Sequence, residues 1–292
     1  MSTTGYDDPA LLKRVQRATA HALAELDRVC VELGLEYAAY GGTAIGAARH
    51  QGFIPWDDDV DVVMPRPDYE RLLAEADRVI DPDFVVLSSK NSPDYPKTFA
   101  VLGLAGTAFV PEIARNRAYR VPIGVDIFPL DVLPDDERAF KRMARRTWVW
   151  GRLMYLRGTP TAEVPLPAPA RQAAGLVLHA VHWGLRAARV SPRALYKRWD
   201  RAARSHEGED SEWLGDFSTQ EPKRWSIRRD ELLPTLALPF EDMTIRMPHA
   251  YDAVLTRGYG DYMAVPPPEQ RVNHKPSLVD FGDHDFADDA EA

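Results

Sequence analysis

Behind Asp8-Pro9, an N-cap followed by proline at the first helical position, Leu12, Val15, Thr19, Ala22, Leu26, Val29 and Leu33 recur three or four residues apart. The spacing predicts an amphipathic helix ending at Gly34. Leu35–Tyr40 reads as a short buried strand, broken by Gly41-Gly42, with a short helix over Thr43–His50 and a turn over Gly52–Pro55. Val60–Met64 reads as a strand and Asp68–Ile80 as a helix. Phe84–Ser88, Thr98–Leu102, Thr107–Val110 and Ile123–Leu130 follow as strands. The first 130 or so residues therefore predict one mixed sheet with helices around it, an α/β (α+β) core.

The pattern changes after Asp135. Glu137–Leu156 is helical, basic and interleaved with Trp148, Trp150 and Tyr155. Pro160–Pro169 reads as a loop, Gln172–Ala188 and Pro192–Arg204 as helices, and Trp225–Leu236 and Pro239–Pro248 as strand-and-loop. Ala250–Arg257 is a short helix running into Gly258-Tyr259-Gly260-Asp261-Tyr262. The organisation expected is a catalytic core over 1–134, a helical substrate region over 135–279 whose end packs back on the core, and an acidic frayed tail over 280–292.

Composition narrows the classes. The 292 residues are 45% hydrophobic with a net charge of −8, which excludes a wholly disordered chain. A single cysteine, Cys30, excludes a disulfide scaffold; it falls on the apolar side of the first helix and reads as inert core. Between Arg138 and Arg204 fifteen Lys/Arg meet two acids, a net +13 that leaves −21 for the rest. Such asymmetry predicts a surface that meets something anionic, and the aromatic interleaving suits a membrane surface or a polymer. No apolar run approaches the length of a span, and the N-terminal residues carry no secretion signal. The expected location is the cytoplasm, with peripheral contact at the inner face of the membrane through the basic helices.

The chemistry is concentrated in Trp56-Asp57-Asp58-Asp59-Val60-Asp61. An acidic run alone is the usual mark of a solvated turn. Here four acids in five positions adjoin an apolar strand, where like charges repel and each carboxylate is hard to ionise. A hard divalent ion with oxygen ligands would offset them. On a strand Asp59 and Asp61 project from one face while Val60 and Val62 face the core. Asp126, alone among apolar residues in Gly124–Leu130, is explained if its strand lies beside Asp59 and Asp61 and it serves as a third ligand. Asp131 reads as a cap for the next turn. Gly41 and Gly42 open a helix, where backbone N–H groups can approach a phosphate, and Thr43 adds a hydroxyl. Asp57 and Asp58 would orient ligands. Arg49, at the end of its helix, divides between a helix-dipole cation and a phosphate contact. Lys97, Arg271 and His274 are candidate phosphate clamps, and Trp56 reads as packing.

The Gly-Gly…Asp-x-Asp pattern with a later strand acid resembles the nucleotidyltransferase fold of the polymerase-β-like superfamily. The fuller run from Tyr40-Gly41-Gly42-Thr43 through Phe53-Ile54-Pro55-Trp56 to Asp61 resembles the LicD family, which holds bacterial phosphocholine transferases and is related to fukutin-related protein. So do Val125–Asp131 and Tyr259-Gly260-Asp261-Tyr262 with Pro267, Arg271 and His274. The resemblance implies Mg²⁺, or Mn²⁺, on Asp59, Asp61 and Asp126, with Asp126 also placed as base. It implies a CDP-alcohol donor such as CDP-choline and a hydroxyl of a glycan or lipid-linked glycan as acceptor, in lipopolysaccharide or teichoic acid modification. Two readings stand beside it: a nucleotidyltransferase moving NMP from an NTP, and a non-catalytic glycan- or lipid-surface binding protein. No nucleic-acid partner is expected.

Overall fold

The computed structural model describes residues 8–286 apart from 93, 116, 118, 161–166 and 220. Helix α1 spans Pro9–Leu33, its N-cap Asp8 accepting from the Ala10 N–H and its end set by left-handed Gly34 at φ 62°. It buries Leu12, Val15, Thr19, Ala22, Leu26 and Val29 of the stripe predicted from the sequence, together with Leu23 and Cys30, while Leu33 at its end is partly buried. Strand β1 is only Ala38–Ala39, because α2 takes Gly41–His50 and begins two residues earlier than expected. Strand β2 is Val60–Pro65 and α3 is Arg66–Glu75. The rest of the expected third helix is a 3-10 turn at Ala76–Arg78.

Strands β3 (Phe84–Leu87), β4 (Ala100–Leu104), β5 (Ala108–Pro111) and β6 (Gly124–Val132) complete the first half. The main sheet runs β1-β2-β6-β4-β3. β2 and β6 are parallel and the other pairs along this path antiparallel, so the sheet is mixed as expected. One face, with Val60, Val62, Met64, Val125 and Ile127, belongs to the core shared with α1. Val63, Leu130 and Val132 belong to a separate cluster. β5 is not part of this sheet.

The second half holds α4 (Glu137–Gly158), α5 (Ala168–Ala187) and α6 (Pro192–Ala203). Asp136 and Ser191 cap α4 and α6. These two helices pack through Met143, Met154, Leu195, Tyr196 and Trp199. α5 leans on α4, where His182 Nδ1 lies 2.7 Å from the Leu156 carbonyl. β7 (Trp213–Gly215) pairs with the end of β6 and carries β8 (Ile227–Arg228), extending the sheet. A one-turn helix α7 (Arg229–Leu232), a hairpin of β9 (Leu236–Phe240) and β10 (Met243–Met247), and α8 (Tyr251–Tyr259) follow. β11 (Pro276–Asp280) pairs with β5.

Two expectations need correction. The frayed tail does not begin at Asp280: that residue ends β11, Phe281 is buried in the main core and Phe286 packs against it. Residues 287–292 lie outside the described residues. Asp131 caps no turn. It is buried inside β6 and takes the Arg66 guanidinium in a bidentate pair at 2.6 and 2.7 Å. Arg66 also reaches Asp200 of α6 at 3.4 Å, so one cation at the root of α3 joins the sheet to the helical half.

Candidate active site

The site is assembled at one end of the parallel β2/β6 pair. The ladder puts Asp61 opposite Asp126, and both alternate with core-facing valines and isoleucine, so they share the face turned away from α1. Asp59 directly precedes β2, two residues before Asp61. The local chain holds this geometry with its own hydrogen bonds. Tyr40 N–H donates to the Asp61 carbonyl at 2.9 Å, and Asp61 N–H donates to Thr43 Oγ1 at 2.8 Å. Thr43 is buried and its hydroxyl oxygen anchors Asp61 by accepting this bond, which leaves the hydroxyl hydrogen free to donate. Gln16 of α1 donates to the Asp57 carbonyl at 2.8 Å and pins the acidic loop from the core side.

The glycines make the approach possible. Gly41 has φ 55°, and a Cβ there would lie 3.4 Å from the Tyr259 hydroxyl and 3.7 Å from Asp61 Oδ2. A Cβ on Gly42 would meet Asp57 Oδ2 at 2.7 Å. The N-terminus of α2 is thus packed against the carboxylates, where only a bare backbone fits. Tyr259 reaches this point from α8 and packs at a tilt against Trp225, their ring centroids 4.9 Å apart. Sequence reasoning marked its Tyr-Gly-Asp-Tyr block but gave it no role in the site.

The C-terminal segment closes over the acids. His274 N–H donates to Asp58 Oδ1 at 3.2 Å, and His274 Nδ1 lies 3.0 Å from Asp58 and 3.4 Å from Asp59. Lys97 Nζ lies 3.5 Å from Asp126 Oδ2. Asp57, Asp58, Asp59, Asp61, Asp126, Lys97, His274, Gly41 and Gly42 are therefore brought together as expected. Asp58, Asp59, Lys97, Asp126 and His274 line a cleft of about 130 Å³. Arg49 and Arg271 are differently engaged. Arg49 donates to the carbonyls of Tyr262 and Ala264 at 2.8 and 3.0 Å. Arg271 donates to the Pro266 carbonyl and lies over the Trp56 ring, 4.4 Å from its centroid. Both tie the C-terminal arm to the core, and Trp56 packs as expected.

The electrostatics describe a site short of positive charge. Burial, reinforced by Asp59 and Asp58, pushes Asp57 up to about 8. Burial pushes Asp59 upward, and Asp61 well upward with Asp59 and Asp126 adding repulsion. The Asp58 carboxylate bonded to His274, helped by Asp59, pushes the imidazole up to about 10, so it stands as a cation. His274 and Lys97 offset part of the acidic charge, and the carboxyls still resist ionisation. An oxygen-rich, desolvated cluster of this kind fits a hard divalent cation. Ligand atoms of Asp58, Asp59 and His274 also converge to within 4.8 Å. This trio was not anticipated from sequence, because His274 is more than 200 positions from the acids.

Residues 34–101 match the family model described as LicD/FKTN/FKRP, nucleotidyltransferase domain. The lipopolysaccharide cholinephosphotransferase LicD of Haemophilus influenzae is 23% identical over 267 residues, which cover 90% of this chain and 95% of that protein.

Proposed function

We propose that this chain, which carries the LicD-type nucleotidyltransferase domain over residues 34–101, is a phosphotransferase that moves a phospho-alcohol from a CDP-alcohol to a glycan hydroxyl. The observation that carries the reading is the register of Asp61 opposite Asp126 on parallel strands, with Asp59 beside them and a glycine-opened helix N-terminus against Asp61. The similarity to a lipopolysaccharide cholinephosphotransferase favours phosphocholine as the group and CDP-choline as the donor.

Asp59, Asp61 and Asp126 would hold Mg²⁺ or Mn²⁺, which when bound neutralises the acids and the donor phosphates. The Gly41–Gly42 amides at the α2 N-terminus cradle the diphosphate. The acceptor hydroxyl attacks the alcohol-bearing phosphorus, the new O–P bond forms and the bond to CMP breaks. Asp126, held by Lys97, takes the proton of the attacking hydroxyl. His274 restrains Asp58 and Asp59, so that the acids keep their geometry before substrate arrives.

The helical region after residue 134 supplies the acceptor side. Among the described residues no helix is long and apolar enough to cross a membrane. Leu176, Val177 and Trp183 are nevertheless exposed along α5, among the arginines of the basic half. That favours peripheral contact with an anionic lipid surface, and with it a lipid-linked acceptor at the cytoplasmic face.

The test is incubation with CDP-choline or CTP and Mg²⁺, scored for CMP or pyrophosphate. CMP release that depends on a glycan acceptor and falls at least about 100-fold in Asp61→Asn is expected. Pyrophosphate from CTP would instead support a nucleotidyltransferase. Glycan binding without turnover of either nucleotide would support a binding protein.

A further inference from the structure

A second, larger cavity of about 710 Å³ adjoins the acidic site and shares Lys97, Arg117 and Tyr119 with it. Its walls are the approach to β4, the α4 face around Arg152 and the loop after β7. Three cations face it: Lys97, Arg117 and Arg152. Among the described residues Arg117 and Arg152 have no acidic partner, and the buried Arg117 Nε has no hydrogen-bond acceptor. The one acid among the described residues of the wall, Glu221, is paired with Arg224 at 3.4 Å.

The aromatic residues here do not form a cage for a quaternary ammonium. Their faces already carry the chain's own cations. Lys97 lies over Phe99 at 4.6 Å, Arg117 over Tyr155 at 5.3 Å and Arg152 over Trp148 at 5.7 Å. A choline headgroup would meet like charge. An anion would instead meet complementary charge, with the Arg152 guanidinium making no hydrogen bond among the described residues and Arg117 donating through Nη1 to the Tyr119 hydroxyl at 3.1 Å.

Sheet order says which reactant this is. Across β1-β2-β6-β4 the sequence of groups is Gly41, Asp61, Asp126, Lys97 and then the cavity. In an in-line transfer the leaving group and the attacking hydroxyl lie on opposite sides of the phosphorus. With the diphosphate on the Gly41–Gly42 side, the hydroxyl enters from the Lys97 side. Resting on the function proposed above, we infer that the cavity between β4 and α4 is the acceptor site, and that the acceptor is an anionic sugar bound through Arg117 and Arg152.

Binding without turnover tests this independently of the transfer reaction. Titration calorimetry would compare a hexose 6-phosphate, a hexuronic acid, the neutral hexose and CMP on the wild-type chain, Arg117→Gln and Arg152→Gln. Arg152 sits on the open side of α4, so its variant is checked for an unchanged melting curve. One acidic sugar should bind at least about tenfold tighter than the neutral hexose, and each variant should lose about tenfold of that, with CMP affinity unchanged in Arg152→Gln, whose side chain lines the second cavity and not the acidic cleft. Preference for the phosphate or the carboxylate arm identifies the anion. Equal binding of the neutral sugar, no binding of either acid, or acidic-sugar binding unaffected in both variants would overturn the inference. Loss of CMP binding in Arg152→Gln would assign the cavity to the nucleotide and overturn it likewise. Failure of the transfer reaction itself appears separately, as no CMP release from CDP-choline.

Discussion

Asp216 shows how a single carboxyl can tie stability to pH away from the candidate site. It lies just after β7, buried, its carboxylate accepting from the Ser218 N–H at 2.7 Å and from the Ser218 hydroxyl. Burial outweighs those bonds and pushes it up to about 6. A carboxyl raised in the folded state holds its proton there after the unfolded chain has released it. Stability is therefore full below about pH 4, falls as pH rises towards 6, and stays lower above. Asp216→Asn should be as stable as the parent near pH 4 and more stable by about 1–3 kcal/mol at pH 7, read from urea unfolding at both values. An equal difference at both would remove the titration from the explanation. At this same scale the sequence was informative where chemistry is local. A run such as Asp57–Asp61 is costly enough to call for compensating positive charge, and His274 supplies part of it. Asp131 was misread because its compensation, Arg66, is 65 positions away and reaches it only through the fold. Arg117 was missed for the same reason, since nothing around it in the chain distinguishes it from a solvated arginine.

At the scale of elements, α2 is fixed by contacts rather than by propensity. It is rich in glycine, and a Cβ on Gly46 would lie 2.5 Å from the Gly52 carbonyl and 3.2 Å from Ile54 N. The helix lies directly on the turn that leads to the acids. Gly46→Ala should cost about 1–3 kcal/mol despite alanine's better helix propensity. Gly175→Ala on α5, where nothing lies within 4 Å, should stabilise by about 0.5–1 kcal/mol. Melting curves of the pair decide between packing and propensity; a fall in both would refute the contact argument. Elements with a strong period were legible, α1 above all, whose apolar stripe and caps agree. β7 and β11 were not, since three to five residues of mixed character become strands only when β6 or β5 offers an edge.

The whole molecule joins an acidic half that holds the candidate site to a basic helical half. The buried Arg66–Asp131 pair with Asp200 links them, and Trp199 packs at 5.9 Å from the same guanidinium. The charge division read from composition is thus spatial. Outward from this seam, α5 exposes Leu176 and Trp183, one heptad apart on one helical face. Leu176→Ser with Trp183→Ser should reduce co-sedimentation with phosphatidylglycerol vesicles several-fold and leave the melting curve unchanged, because neither side chain is buried. Unaltered sedimentation would place membrane contact elsewhere.

The pairing of Asp61 with Asp126 has a wider consequence. Neighbouring strands are about 4.8 Å apart wherever they hydrogen-bond. The gap between these two acids is therefore inherited from the peptide ladder and owes little to how side chains happen to nest. Sequence drift in the surrounding helices can reshape the neighbouring cavity while the two carboxylates keep their spacing, as a vice keeps its jaws parallel whatever workpiece is clamped.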